Sequence, residues 1–544
     1  MAAACAVGVS MLVCLFGNLG AIGLVGPDET RYVWIARTMA QSGDWVTPRL
    51  YGSPWFEKPA LYYWAAAIGF RLHVAAEWAA RLPSAFAALA VALCISWLAW
   101  KWYRSEEFCP WSPALLAPLL FSTSVAAVGF SRAGGPDMPF AASITLAMAS
   151  AAVVLASAGA MRALIGGANE LAGHRSRIAI VCFGAFLGLS VLAKGPAGIV
   201  LAAGAIALWA LTTRHWAAAF RFLHPYAIAS FCIVALPWYI LCALRNPDFV
   251  RVFIFQHNFE RYLTPVFQHR QPFWFFVPIT LLAMLPCTVF LIPAAQDGWR
   301  LWREKTWHNS PGFFCACWAF FPILFFSFSQ SKLPGYILPS IPPLALIIAV
   351  SVARMIEGRQ TPGIRIFVLF GLTWIGLAAG ALVWLHRLPA AAAGQIRAPV
   401  IVCAMIATGA GVAIVTLASK HQRAAIWISL VVLSLAVEVA GIAVLPRIDP
   451  YYSARLVGTQ LRGDVRPDRL LVYDLPRAWE YGLAFYLGRE LPEWSPADRE
   501  AALVLTSARG FEEMKKEGYF RGTLDEKYQR IVFVPIPARP ATRR

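Results

Sequence analysis

Apolar runs long enough to cross a membrane recur between residues 4 and 445, and short polar connections separate them. Taking ~17–25 apolar residues per crossing, spans are expected near 4–25, 84–100, 113–130, 139–158, 178–193, 197–212, 226–244, 273–293, 313–328, 336–352, 366–385, 399–418 and 425–445. That is about 13 helices. The first run has no basic leader and no small-residue cleavage site, so it is expected to be an uncleaved helix.

Two stretches break the pattern. Residues 60–83 are apolar but interrupted by Arg71, His73, Glu77 and Arg81. They are expected as outer juxtamembrane helices, with Tyr62, Tyr63, Trp64 and Trp78 at head-group depth. From 446 to 544 the runs cease, and strand-like LLVYD and ALVLTS alternate with helix-like AWEYGLAFYLG and FEEMKKEG before strand-like RIVFVP. This predicts a small soluble C-terminal α/β domain following a membrane domain over 1–445.

Composition agrees with a polytopic α-helical membrane protein: 59% of the 544 residues are hydrophobic and 14% are charged. The net charge of +18 suits anionic lipid head groups and phosphates. No basic cluster interleaved with aromatics forms a soluble module, which argues against nucleic acid. Most of the eleven cysteines lie inside apolar runs, so no disulfide framework is expected.

Basic residues concentrate in alternate connections, around Lys101, Arg175, Arg214, Arg300, Arg359 and Lys420. By the positive-inside rule those are cytoplasmic, which puts the N-terminus inside and the C-terminal domain outside. Charges persist against that rule in the opposite set: GPDETRY (26–32), WFEKPALYYW (55–64), SRAGGPD (131–137), AKGP (193–196), FQHNFERYLTPVFQHRQPFW (255–274) and SQSKLPGYIL (329–338). Any one of these cations could snorkel from a helix end. Several converging on one face point to a site.

Asp28 and Glu29 stand directly after the first run, and either could orient an acceptor, stabilise a cationic carbon or accept a proton. Helix capping is the alternative for Asp28, with Glu29 in the first turn, and capping is equally the alternative for Asp137. Arg31, Lys58, Lys194, Arg261, Arg270 and Lys332, with Tyr32 and Tyr336, are the candidates for holding phosphates, and Tyr and Trp faces in these loops would stack on a sugar-like ring. Glu57, His257 and His269 are candidate ligands for a divalent metal such as zinc, although their spacing has no strong ligand signature; hydrogen-bonding histidines are the alternative.

The acidic DE after a first span, the EKP loop, the juxtamembrane helices and the C-terminal domain together resemble the GT-C membrane glycosyltransferases. Within that class PDETRY, SGDW (42–45), FEKP, AKG, QHRQPFW and SKLPGYIL look like the aminoarabinose transferases of Gram-negative bacteria. The resemblance implies undecaprenyl phosphate carrying 4-amino-4-deoxy-L-arabinose as donor and lipid A phosphates as acceptor. It further implies the periplasmic face of the bacterial inner membrane, a monomer among membrane lipids, and resistance to polymyxin. It makes Asp28 and Asp137 the catalytic carboxylates.

The residue balance fits on separate grounds. An ionised phosphate acceptor needs no strong general base, and a phosphate leaving group needs charge stabilisation more than a proton. The competing enzyme reading is another polyprenyl-phosphate-sugar transferase such as a protein O-mannosyltransferase, which would need a base for its hydroxyl acceptor. A transporter would call for half-repeats and broken mid-bilayer helices, and the sequence has no such symmetry.

Overall fold

The architecture, taken from a computed structural model, is described for residues 2–103, 111–161, 172–260, 270–357, 364–418, 421–464, 470–498, 502–519 and 532–536. Each of the thirteen apolar segments contains helix, but they differ in kind. Among the described residues eight helices are long and apolar enough to cross a membrane, from Ala76–Trp102 to Gln422–Tyr452. Three more are apolar but shorter: Ala3–Phe16, Ala197–Thr213 and Pro311–Ser327.

Two expected spans are bent. Pro113–Ser122 and Val125–Ser131 meet at 60°, and Phe273–Ala283 and Cys287–Arg303 meet at 107°. At the first break the Ser124 hydroxyl accepts from the Ala127 N–H and caps the new helix. Elsewhere the bundle closes through small residues. A Cβ on Gly371 would lie 2.5 Å from the Gly411 carbonyl, so Ile364–Arg387 and Ala390–Leu417 cross backbone to backbone.

The first run is shorter than its hydropathy implied, because its helix ends at Phe16. Past that point the carbonyls of Leu19, Ile22 and Gly23 turn to accept hydrogen bonds from the Arg81 guanidinium, so they do not continue the helix. GPDETRY is not a loop either. It begins the helix Gly26–Ser42: Gly26 enters at φ +76°, Pro27 holds the first turn, and Asp28 and Glu29 lie where the helix dipole favours acids.

The interrupted stretch forms the helix Leu61–Arg71 and the start of Ala76–Trp102. Its aromatics are not all interfacial. Tyr62 and Tyr63 are buried, packed edge-on with Tyr32, while Trp78 alone of the four is exposed.

The C-terminal elements fall in the expected order. Leu470–Tyr473 pairs parallel with Ala502–Thr506, which pairs antiparallel with Val532–Ile536, and the helices Arg477–Leu487 and Ala508–Lys516 intervene. This part is not a detached soluble tail. Trp479, Leu483 and Phe485 share a core with Leu24, Val33 and Ala80 of the membrane part, so neither side is covered without the other.

Candidate active site

Asp137 and Glu29 are set by one loop. Ser84, about two turns into the Ala76–Trp102 helix, donates to the carbonyls of Ala133 and Gly135. The Gly134 N–H donates to Glu29 Oε1 at 2.9 Å, and a Cβ on Gly134 would press within about 3 Å of both Glu29 and the Tyr62 hydroxyl. Only glycine allows that approach. Glu29 is therefore a structural acid: it receives Arg81, the Gly134 N–H and the Val25 N–H.

Asp28 points the other way. It is 61% exposed and pairs with Arg31 one helical turn later. Arg31 in turn lies 3.3 Å from Glu57 Oε2. Glu57 Oε1 also accepts from the Tyr32 hydroxyl at 3.3 Å and meets Lys58 Nζ at 3.4 Å. Burial alone would lower the Arg31 pKa; Glu57 and then Asp28 outweigh it and hold the guanidinium above its usual range. Burial, reinforced by Glu57 and Asp28, pushes the Tyr32 phenol well up, so it is a neutral donor.

A second group lies on the far side of Tyr32. Asp137 starts its helix and pairs with Lys194, whose ammonium lies 5.1 Å from the Tyr336 ring centroid and 5.6 Å from that of Phe140. A Cβ on Gly135 would stand 3.9 Å from Asp137 Oδ2 and 3.9 Å from the Tyr32 ring, so the two groups flank one glycine. A Cβ on Gly335 would lie 2.9 Å from Asp137 Oδ1. Thus GPDETRY, FEKP, SRAGGPD, AKG and SKLPGY meet at one end of the bundle.

Other expected residues stand apart from this core. Lys332 is buried, with its ammonium donating to the carbonyls of Ser329 at 2.5 Å and Gln271 at 3.1 Å; desolvation lowers its pKa. It joins the 329–332 and 271 segments, while the adjoining Arg270 is exposed. Arg261 and His269 lie outside the described residues. Glu57 and His257 line one cleft of about 500 Å³ with Trp55, Asn246 and Arg251. Among the described residues no three His, Cys, Asp or Glu side chains cluster as a metal site.

Three further residues complete this site: Arg81, Trp55 and Tyr481. Arg81 interrupts an apolar stretch expected at the membrane surface, but it is 3% exposed and holds Glu29. Trp55 and Tyr481 both place their ring centroids 5.5 Å from the Arg31 guanidinium carbon. A charge inside an apolar run was the available signal for Arg81. Nothing local marks Tyr481.

Residues 3–253 match the family model for dolichyl-phosphate-mannose-protein mannosyltransferases. In whole-chain shape, the crystal structure of ArnT from Cupriavidus metallidurans bound to undecaprenyl phosphate superposes with a TM-score of 0.77, over 98% of this chain and 97% of that one, at 22% identity. At that identity the likeness is one of fold.

Curated relatives of this chain are named undecaprenyl phosphate-alpha-4-amino-4-deoxy-L-arabinose arabinosyl transferases. The one from Edwardsiella ictaluri is 31% identical over 363 residues, 67% of this chain and 61% of the relative. That from Erwinia tasmaniensis is 32% identical over 323 residues, 59% and 54% respectively. The matched region thus spans between half and two thirds of each curated relative's length.

Proposed function

We propose that this protein transfers 4-amino-4-deoxy-L-arabinose from undecaprenyl phosphate to the phosphate groups of lipid A, as a monomer at the periplasmic face of the bacterial inner membrane. The observation that carries the reading is the arrangement of Arg31, Lys58 and Lys194 around Asp28, Glu57 and Asp137 at one end of a membrane bundle. Its support from outside is the kinship with transferases named for that donor and the fold shared with a protein crystallised with undecaprenyl phosphate.

In this mechanism an oxygen of the acceptor phosphate attacks the anomeric carbon. The bond from that carbon to the donor phosphate breaks, and undecaprenyl phosphate departs as an anion. No proton need move. Arg31 and Lys58 hold the two phosphates and spread the charge growing on the leaving one, a task for fixed donors rather than for an acid. Asp28, exposed at the opening, stands beside the anomeric carbon and stabilises its positive character. Asp137, shared with Lys194, faces the sugar ammonium. Tyr32, neutral and buried, keeps Glu57 in place between the cations.

Each capped phosphate gains an amine and loses negative charge, which weakens polymyxin and other cationic peptides at the surface. A divalent ion such as zinc would be held in the cleft shared by Glu57 and His257. Dialysis against a chelator would lower activity only if such an ion takes part.

The second reading, a transferase of the protein O-mannosyltransferase kind, is favoured by the match over 3–253. Purified protein given undecaprenyl-phosphate-aminoarabinose and lipid A separates the two. An aminopentose added to lipid A, seen by mass spectrometry, supports the first reading. Sugar arriving on a hydroxyl-bearing peptide from a mannosyl donor transfers the case to the second.

A further inference from the structure

The C-terminal part of the chain reaches the site through one side chain. Tyr481 lies on the helix Arg477–Leu487, whose inner face is buried against the Gly26–Ser42 helix through Trp479, Leu483 and Phe485. Its ring stacks on that of Tyr51, with centroids 6.2 Å apart and planes 24° from parallel. The Arg31 guanidinium carbon is 5.5 Å from the Tyr481 ring centroid and 5.5 Å from that of Trp55. We propose that Tyr481 is a positioning residue of the transferase site: with Trp55 it fixes the plane of Arg31, so the C-terminal domain must be docked for Arg31 to face the donor phosphate.

An ordered arginine gives up conformational freedom. Its long side chain has many rotamers, and a bidentate grip on phosphate needs one plane. The Arg31 Nε–H donates to the Pro27 carbonyl at 3.2 Å and the two terminal nitrogens meet Asp28 and Glu57, so polar partners hold the edge of the guanidinium. Trp55 and Tyr481 act on its faces instead, where the ring quadrupole attracts a cation. Docking is secured independently of Tyr481: Arg37 donates to the Phe485 carbonyl at 2.9 Å and lies 4.1 Å from the Phe485 ring centroid, while the Leu24 N–H donates to the Tyr486 hydroxyl. Removing the Tyr481 ring should therefore loosen Arg31 while leaving the helix in place.

The inference rests on the donor reading above, and its test keeps the two apart. Full-length protein in detergent is titrated with undecaprenyl phosphate, comparing the parent with Tyr481→Ala, Tyr481→Phe, Arg31→Ala and the Arg31→Ala/Tyr481→Ala double variant. Losing one cation–ring contact weakens binding by about fivefold, and Tyr481→Phe, which keeps the ring, recovers most of that. In the Arg31→Ala background the Tyr481→Ala change adds nothing further, because its effect passes through Arg31. If the two losses instead multiply, or if Tyr481→Ala binds as the parent does, the inference is overturned and the donor reading stands. A parent that binds no undecaprenyl phosphate overturns both.

Discussion

Glu29 and Arg81, 52 positions apart, form a buried two-point ion pair: Arg81 Nε lies 2.8 Å from Oε1 and Nη2 lies 3.0 Å from Oε2. The remaining donors of Arg81 close the turn at Leu19, Ile22 and Gly23, and Glu29 in turn holds the loop that leads to Asp137. One pair thus joins the end of the first helix, the start of the helix bearing Asp28 and Arg31, and the second acidic position.

Removing either partner strands a buried charge. Arg81→Ala and Glu29→Ala should each cost about 3–5 kcal/mol of stability. A fall in unfolding temperature measured in detergent checks this, and a variant that melts with the parent would refute the structural role of the pair.

Lys194 neutralises Asp137 beside the Tyr336 ring. Lys194→Ala should lower kcat/KM by about tenfold, because Asp137 loses the partner that places it, with little change in unfolding temperature. Steady-state kinetics beside a melting curve separates lost charge from lost fold.

Gly335 leaves no room for a side chain, since its Cβ would press on Asp137 Oδ1 at 2.9 Å and on the Phe130 ring at 3.0 Å. Gly335→Ala should reduce turnover about tenfold by displacing Asp137, because misplacement of this order is felt strongly in catalysis. Unchanged turnover would show that the carboxylate tolerates the shift.

That a helix begins at the DE pair was legible from its acids, but Asp28 lies in the first turn of Gly26–Ser42 and does not cap it, the cap position being Val25. Asp137 was legible as a helix start, and so was the alternation of strands and helices after residue 470. The partnership of Arg81 with Glu29 was not, because a charge in an apolar run says only that it needs a partner, not which one. Tyr62 and Tyr63 misled for a related reason: tyrosine suits both an interface and a core, and only the neighbouring Tyr32 ring decides. The role of Tyr481 depends on docking across 450 positions of chain to Arg31, a relation that no local pattern encodes.

Desolvation makes Lys332 sensitive to pH. Its pKa is lowered in the folded state, so the unfolded chain binds more protons between that lowered value and the ordinary ~10.4. Stability contributed by this residue should therefore rise with pH across that window, and the rise should vanish in Lys332→Met. Melting curves of both proteins at a series of alkaline pH values test the sign; a parent that loses more stability than Lys332→Met across the window would reverse it.

The most direct measurement is the mass of lipid A after incubation with undecaprenyl-phosphate-aminoarabinose and the purified protein, with Asp28→Asn and Lys58→Ala alongside. The account predicts one added aminopentose per modified phosphate from the parent and almost none from either variant, although both variants melt as the parent does. Parental levels of product from Asp28→Asn and Lys58→Ala would contradict it, because the reacting groups would then lie elsewhere.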